Sequence, residues 1–259
     1  MTDNAQVVVT PTVSKFLRRS LLWIGIVTAA LLIAVFVAVL RAATTTSGEP
    51  MSATNAGPGG ARALVEVLRD QGVEVTVSDS LDTTLAAVAD PDNTTVLLYD
   101  LNYVLDESQL SQLRDVARDV VVLDPTPEVL ALISPDIAPA GYVDGTASAG
   151  CALAAADAAG EITVNGNAYR VLSNTSEVET CFDNGDGVYS LIQVVTGESR
   201  LTALGAVESL TNAEILAEGN AALGLNLLGA NDARRSGEVL SLRSVLPWWS
   251  YRKPKARAN

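Results

Sequence analysis

Residues 94–123 read TTVLLYDLNYVLDESQLSQLRDVARDVVVL, and this stretch decides the fold class. Two apolar runs, Thr94–Tyr99 and Val120–Leu123, are typical of strands that are buried on both faces. Between them, Asp106–Arg118 places its apolar residues at helical spacing. Because strand–helix–strand units with continuous apolar strands form parallel sheets, the stretch predicts an α/β domain with helices on the sheet faces.

The same alternation continues on both sides of this stretch. On the N-terminal side, Ala61–Gln71 predicts a helix, Val73–Val77 a strand and Leu81–Ala89 a second helix. On the C-terminal side, Thr126–Ile133 predicts a short helix with a proline in its first turn. The predicted fold is therefore α/β, with a mostly parallel sheet flanked by helices.

Beyond about residue 135 the pattern changes to that of antiparallel hairpins. Glu161–Val164 and Ala168–Leu172 flank Asn-Gly-Asn, while Val188–Thr196 and Arg200–Leu204 flank Gly-Glu-Ser. We expect both hairpins to extend one edge of the sheet. A last helix, Glu214–Leu228, is predicted to close the domain.

An apolar segment, Leu21–Leu40, precedes this domain and contains 20 residues without a charge. At about 1.5 Å per residue it spans roughly 30 Å, the thickness of the hydrocarbon core of a bilayer, so it predicts a transmembrane helix. Three cations precede it and one follows closely, which places residues 1–20 in the cytoplasm and the rest of the chain outside. The run is too long for a cleaved signal peptide and favours a retained, single-pass anchor in the plasma membrane.

Composition divides the remaining chain into three parts. Residues 41–60 predict a flexible linker, residues 61–230 the extracytoplasmic α/β domain, and residues 231–259 a basic, aromatic tail. Aromatic rings beside cations are typical of a membrane interface, although a disordered or protein-binding tail remains an alternative. The expected interface residues are Trp23, Trp248, Trp249 and Tyr251.

The charge of the chain is unevenly distributed and narrows the choice of partners. The chain carries −13; its first 43 residues carry +3 and its last nine +4, so residues 44–250 carry −20. Such a domain repels phosphate backbones, which argues against a nucleic-acid partner. The basic tail instead favours membrane lipid.

Two missing residue types argue against catalysis. The chain has no His, and residues 44–250 have no Lys. Histidine-based triads, histidine-ligated metals, Schiff bases and a phosphate-loop lysine are therefore excluded. The sequence predicts a protein that is not an enzyme and that uses no cofactor and no metal.

The chain has two cysteines, Cys151 and Cys181. Because the domain is predicted to lie outside the cytoplasm, a disulfide bond between them is expected, with two buried thiols as the alternative. A nucleophilic role for Cys151 would need a histidine base, which the chain lacks.

Five residues are candidates for a ligand or partner surface. Asp100 and Asp124 follow the two buried strands, and parallel strands bring their carboxyl ends to one edge of the sheet, where ligands bind. Asn212, Gly219 and Asn220 stand together in one short block. The alternative for this block is structural, with Asn212 as a helix cap and glycine allowing close packing.

Two stretches resemble a bacterial family of membrane-anchored proteins, domain-of-unknown-function family 4350. Gly60–Val77 resembles the opening of its domain, and Thr211–Gly229, TNAEILAEGNAALGLNLLG, resembles its most distinctive block. The resemblance covers about residues 20–250. It implies a glutamine-amidotransferase-like α/β layer held at the membrane, in genomic company with MoxR-type ATPases. Relatives usually continue into a second transmembrane helix, whereas residues 245–259 read VLPWWSYRKPKARAN.

These features predict a single-pass, membrane-anchored, extracytoplasmic interaction or scaffold module. We expect its partner to be an envelope or membrane protein, within an assembly linked to a MoxR-type ATPase. The alternative is a small-molecule sensor or a carboxylate-based enzyme that uses the C-terminal edge of the sheet. A pocket holding Asp100 and Asp124 with raised carboxyl pKa values would favour the alternative, and a filled edge would favour the interaction module.

Overall fold

A computed structural model describes much of the chain and divides it into two units, Met1–Thr46 and Ser47–Asn259. The described ranges are residues 23–35, 48–100, 106–173, 177–229 and, for the backbone alone, 238–243.

In the first unit, residues 23–35 form helix α1, and the side chain of Trp23 is 60% exposed. The predicted transmembrane segment, Leu21–Leu40, extends beyond α1 at both ends, and its other residues lie outside the described ranges. Among the described residues, no helix is long and apolar enough to cross a membrane. The transmembrane span therefore stays a prediction.

The second unit alternates helices and strands over its first half. Its helices are α2 (Arg62–Asp70), α3 (Leu81–Ala87), α4 (Glu107–Val116), α5 (Pro127–Ile133), α6 (Ala154–Ala159) and α7 (Asn220–Leu228). Its strands are β1 (Glu74–Ser78), β2 (Thr94–Tyr99), β3 (Asp119–Leu123), β4 (Ile137–Val143), β5 (Thr146–Ser148), β6 (Glu161–Thr163), β7 (Gly166–Val171), β8 (Val178–Asp183), β9 (Tyr189–Thr196), β10 (Ser199–Leu204) and β11 (Glu238–Arg243).

The large sheet is mixed. Its strand order is β1-β11-β2-β3-β10-β9-β7-β4, with β8 paired to β9. Each adjacent pair from β1 to β10 in this order is parallel, and each pair from β10 onward, including that of β8 with β9, is antiparallel. The prediction of an α/β fold is confirmed. The antiparallel strands were predicted to extend one edge of the sheet. They form a larger part of it, since β9, β7, β4 and β8 make up the whole side beyond β10.

Helices cover both faces of the sheet, because alternate strand residues face two separate cores. Leu97 packs with α2, α6 and α7 on one face, and its neighbours Val96 and Leu98 pack with α4 and α5 on the other. Strands β2 and β3 are almost entirely buried. Their continuous apolar sequence therefore follows from burial on both faces.

One of the two predicted hairpins is confirmed and the other is wrong. Strands β9 and β10 pair in antiparallel fashion around the predicted turn. Glu161–Val164 and Ala168–Leu172 do not pair with each other, because β6 pairs with β5 and β7 pairs with β4 and β9. Gly145 exchanges hydrogen bonds with Val164 and Asn165, so the Asn-Gly-Asn segment is tied to another loop instead of closing a turn.

The boundaries predicted for the linker and the tail were wrong in part. Residues 48–60, assigned to a flexible linker, are folded: the Met51 N–H donates to the Gly59 carbonyl at 2.8 Å, and the Met51 side chain is 6% exposed. Strand β11, from the segment assigned to the tail, lies between β1 and β2 and is parallel to both. Strand β11 gets its backbone hydrogen-bond partners from β1 and β2, which are distant in sequence, so its own sequence does not reveal the pairing.

The closing helix begins at Asn220 and not at Glu214 as predicted. Residues 214–219 form turns. Glycine at position 219 lets the start of α7 lie close to the backbone at Ala159, because a side chain here would collide with the Ala159 carbonyl. The Gly219 N–H also donates to the Glu161 carbonyl at 2.7 Å.

Candidate functional site

Asp100 and Asp124 line one cleft, of about 470 Å³, at the C-terminal edge of the sheet. They follow β2 and β3, which are adjacent and parallel, so their carboxyl ends reach the same edge. The structure thus brings these two predicted residues together. Among the described residues, a cleft lies at this edge between the two carboxylates.

The cleft has an acidic rim over an apolar floor. Its other carboxylates are Asp106, Glu107 and Glu128. Its apolar lining residues are Leu98, Leu110, Val122, Leu123, Pro125, Val129 and Leu132. We call this site the acidic cleft. A surface of this kind can take a cationic group at its rim and an apolar group against its floor.

Two of the rim carboxylates also serve helix N-termini. The Asp106 carboxylate accepts from the Gln109 N–H at 3.0 Å, and the Gln109 side chain accepts from the Asp106 N–H at 2.9 Å, which forms a capping box for α4. The Ser108 hydroxyl, followed by the Gln109 N–H, lowers the pKa of Asp106. The backbone N–H of Glu128, followed by the Thr126 hydroxyl, lowers the pKa of Glu128. Both groups are therefore ionised at neutral pH, whereas proton transfer near neutral pH would need raised pKa values.

Asp124 adopts a left-handed backbone conformation, with φ of 48°. Its N–H donates to the Leu204 carbonyl at 2.9 Å, and its carboxylate accepts from the Asn167 side-chain amide at 2.6 Å. Such a conformation is unfavourable for a residue other than glycine and persists where the surrounding structure fixes it. Strand β10 and the start of β7 therefore set the direction of this side chain.

A second cleft, of about 520 Å³, lies on the other side of Asp124. Its lining residues are Asp124, Pro125, Thr126, Pro127, Glu128, Pro139, Asn167 and Tyr169. We call it the tyrosine pocket. Asp124 and Glu128 belong to both clefts, so the two sites share one wall.

Tyr169 is 1% exposed, and its hydroxyl has no hydrogen-bond partner within the described part of the chain. Burial raises the pKa of this phenol, and the negative charge of Asp124 raises it further. Tyr169 and Asn167 are not predictable as site residues, because both fall in a segment whose sequence is typical of a hairpin. No local motif marks them, and only the pairing of β7 with β4 and β9 brings them to the sheet edge.

Asn212 lies away from both clefts and caps a helix that is distant in sequence. Its side-chain oxygen accepts from the Ala63 N–H at 2.8 Å, in the first turn of α2. Its side-chain amide donates to the Asn55 carbonyl at 2.8 Å and the Gly57 carbonyl at 2.7 Å. Asn212 therefore holds residues 55–63 in place and does not cap α7.

Asn220 also has a structural environment, and its side chain is fully buried. Its oxygen accepts from the Thr163 N–H at 3.0 Å, and its amide donates to the Thr163 hydroxyl at 2.7 Å and the Glu214 carbonyl at 2.8 Å. With Gly219, it fixes the start of α7 against β6. The structure thus separates the block of Asn212, Gly219 and Asn220 from the cleft that contains Asp100 and Asp124.

The predicted disulfide bond is confirmed. Cys151 and Cys181 are bonded, with their Cα atoms 5.2 Å apart. The other predicted interface residues, Trp248, Trp249 and Tyr251, lie outside the described ranges. In the part of the chain that the structure describes, no group of three or more His, Cys, Asp or Glu residues is placed to hold a metal ion.

The profile of the family described as Domain of unknown function (DUF4350) matches residues 53–228. The chain belongs to this family. The matched region contains both clefts, the disulfide bond and the block of Asn212, Gly219 and Asn220, whereas β11 lies beyond it.

Two further comparisons found similar proteins. The chain is similar to the "Uncharacterized membrane protein Rv3691" of Mycobacterium tuberculosis (strain ATCC 25618 / H37Rv), with 26% identity over 222 residues. The match covers 85% of this chain and 56% of that relative, so the chain spans little more than half of the relative's length. Among solved structures, the mmIFT52 N-terminal domain aligns with a TM-score of 0.48 and 12% identity, covering 67% of this chain and 92% of that one.

Proposed function

We propose that this protein is a single-pass, membrane-anchored interaction module whose domain lies outside the cytoplasm. In this proposal the acidic cleft holds a basic, partly apolar segment of another envelope protein. An open cleft at this edge is the feature expected for the competing function, and the proposal rests instead on what lines the cleft: five carboxylates around an apolar floor. The family relative is called a membrane protein, and residues 21–40 supply an anchor of the right length.

The chemistry of the acidic cleft favours binding over catalysis. The lowered pKa values of Asp106 and Glu128 keep these groups charged, which suits attraction of a cation and not donation of a proton. Opposite charges at the rim of an interface guide association, while apolar groups at its centre supply most of the affinity. A partner segment with Lys or Arg next to Leu or Phe would use both parts of the cleft.

Two finer parts of the proposal rest on sequence alone. A link to a MoxR-type ATPase rests on the resemblance to the family. Contact of the basic tail with anionic lipid rests on its +4 charge and its aromatic residues. The competing function is a small-molecule sensor or a carboxylate-based enzyme at the same edge. The left-handed Asp124 favours the sensor, together with a Tyr169 hydroxyl that has no hydrogen-bond partner among the described residues.

The proposed topology predicts that Ser47→Cys is labelled by a membrane-impermeant thiol reagent in intact cells. The unchanged chain is a matched control, because both of its cysteines are in the disulfide bond and should not react. Labelling that appears only after lysis would place the domain in the cytoplasm and contradict the topology.

The proposed partner site predicts position-specific crosslinking in native membranes. A photoreactive amino acid at position 107, on the rim of the acidic cleft, should yield a discrete crosslinked protein. The same group at position 66 is the matched control, since Glu66 is an exposed glutamate on α2, which packs on the opposite face of the sheet. Identical products from both positions would argue against a partner site in the cleft.

A further inference from the structure

The tyrosine pocket is lined by a buried tyrosine whose hydroxyl is satisfied by none of the described residues. Tyr169 is 1% exposed, lines the pocket and has no hydrogen-bond partner among the described residues. Buried hydroxyls are nearly always paired, because an unpaired one loses its bonds to water without replacement. A molecule in the pocket that reaches this hydroxyl would supply the missing partner.

The surroundings hold this hydroxyl in a fixed position. A side chain at Gly205 would collide with the Asn167 carbonyl, and its Cβ would lie 3.1 Å from the Tyr169 hydroxyl. Glycine at this position therefore lets the backbone of β10 approach β7 beside the ring. Burial keeps the phenol protonated, so the hydroxyl is available both to donate and to accept.

The other polar groups of the pocket define what the molecule must offer. The carboxylate of Asp124 receives one bond from Asn167 and can accept more, and the carboxylate of Glu128 also lines the pocket. Both can accept further hydrogen bonds from donors on the molecule. An anion would be repelled by the two carboxylates. An ammonium group can donate to the carboxylates and to the tyrosine oxygen, but it has no lone pair to accept the proton of the hydroxyl.

Alcohol groups meet both demands, because each one donates and accepts a hydrogen bond. The remaining walls include three prolines, Pro125, Pro127 and Pro139, which present C–H surface and no backbone N–H. The volume of about 520 Å³ lies in the range of pockets for small molecules. We infer that the tyrosine pocket binds a saccharide ring, with its hydroxyls on Tyr169, Asp124 and Glu128 and its C–H face on the prolines.

This inference goes beyond the proposed partner site and can fail independently of it. The test uses the full chain, purified in a detergent without a sugar headgroup, and measures binding by saturation-transfer NMR and calorimetry. The probes are glucose, galactose, mannose and N-acetylglucosamine, with inorganic phosphate for comparison. At least one sugar should bind, and phosphate should not compete with it.

Tyr169→Phe removes the hydroxyl and keeps the ring, so sugar affinity should fall about tenfold, the value of one well-placed hydrogen bond. Tyr142→Phe is the matched control on β4, since Tyr142 is 66% exposed and does not line the pocket, and it should leave the affinity unchanged. Glu107→Gln, which alters only the acidic cleft, should also leave it unchanged.

Loss of an unpaired buried hydroxyl should leave the thermal stability of the chain the same or higher, so Tyr169→Phe is expected to fold. If it does not, Asp124→Asn provides the same test, because asparagine tolerates the left-handed conformation and removes the charge. The inference is overturned if none of the four sugars binds the unchanged chain at about 50 mM, a concentration far above a dissociation constant of about 1 mM. It is equally overturned if sugar binding survives in full in the folded variant.

Discussion

Replacing Asn220 with alanine should destabilise the domain by about 3 kcal/mol or more, since loss of a buried hydrogen-bond network is among the most damaging single changes. The Asn220 side chain is fully buried and joins β6, the turn at Glu214 and the start of α7 through three hydrogen bonds. Alanine would leave the Thr163 N–H and the Glu214 carbonyl without these partners.

Urea unfolding followed by circular dichroism measures this loss. Asn226→Ala is the matched control in the same helix, because Asn226 is exposed and its side-chain amide donates to the Ala222 carbonyl one turn earlier. The control should change stability by about 0.5 kcal/mol or less. Equal effects of the two substitutions would show that the block of Asn212, Gly219 and Asn220 does not hold the fold together.

Removal of the disulfide bond should have an effect of similar size. The Cys151–Cys181 bond joins residues 30 apart in sequence, and closing such a loop stabilises a fold by about 3–4 kcal/mol in the chain-entropy model. The bond ties the loop before α6 to β8, and the Cys181 side chain is buried in the core beside α6 and α7. Cys151→Ala combined with Cys181→Ala should therefore lower the urea midpoint strongly.

A reducing agent provides the internal control for this prediction. The unchanged chain should lose most of the same stability in reductant, whereas the doubly substituted chain should unfold at the same urea concentration with and without it. An unchanged urea midpoint of the unsubstituted chain in reductant would contradict this prediction. It would show that the disulfide bond contributes little to stability and that the two thiols pack equally well without it.

The sequence predicts those helices and strands whose formation depends on residues close together in the chain. The apolar runs of β2 and β3 reflect burial on both sheet faces, and acidic or hydroxyl residues mark the starts of α4 and α5. Asp100 and Asp124 could be placed at one edge because parallel strands align their carboxyl ends. Each of these inferences needs only residues that are close in sequence.

The features that escaped prediction depend on distant partners. The sequence of strand β11 does not by itself predict a strand. The segment forms one because β1 and β2 pair with it on either side. Asn212 was a candidate for a ligand or partner surface, with a cap of the helix that follows it as the alternative, yet it caps α2, whose Ala63 is 149 residues away. Tyr169 and Asn167 reach the sheet edge only because β7 joins the large sheet and not β6.

The most direct test of the proposed interaction module is the yield of the position-107 crosslink when the cleft loses charge. Asp100→Asn combined with Asp124→Asn neutralises two carboxylates of the acidic cleft with little change in shape. If the cleft holds a basic partner segment, the crosslinked product should fall about tenfold or more, and added salt should weaken it in the unchanged chain. A product whose yield is the same in the neutralised chain and at high salt would contradict the proposal.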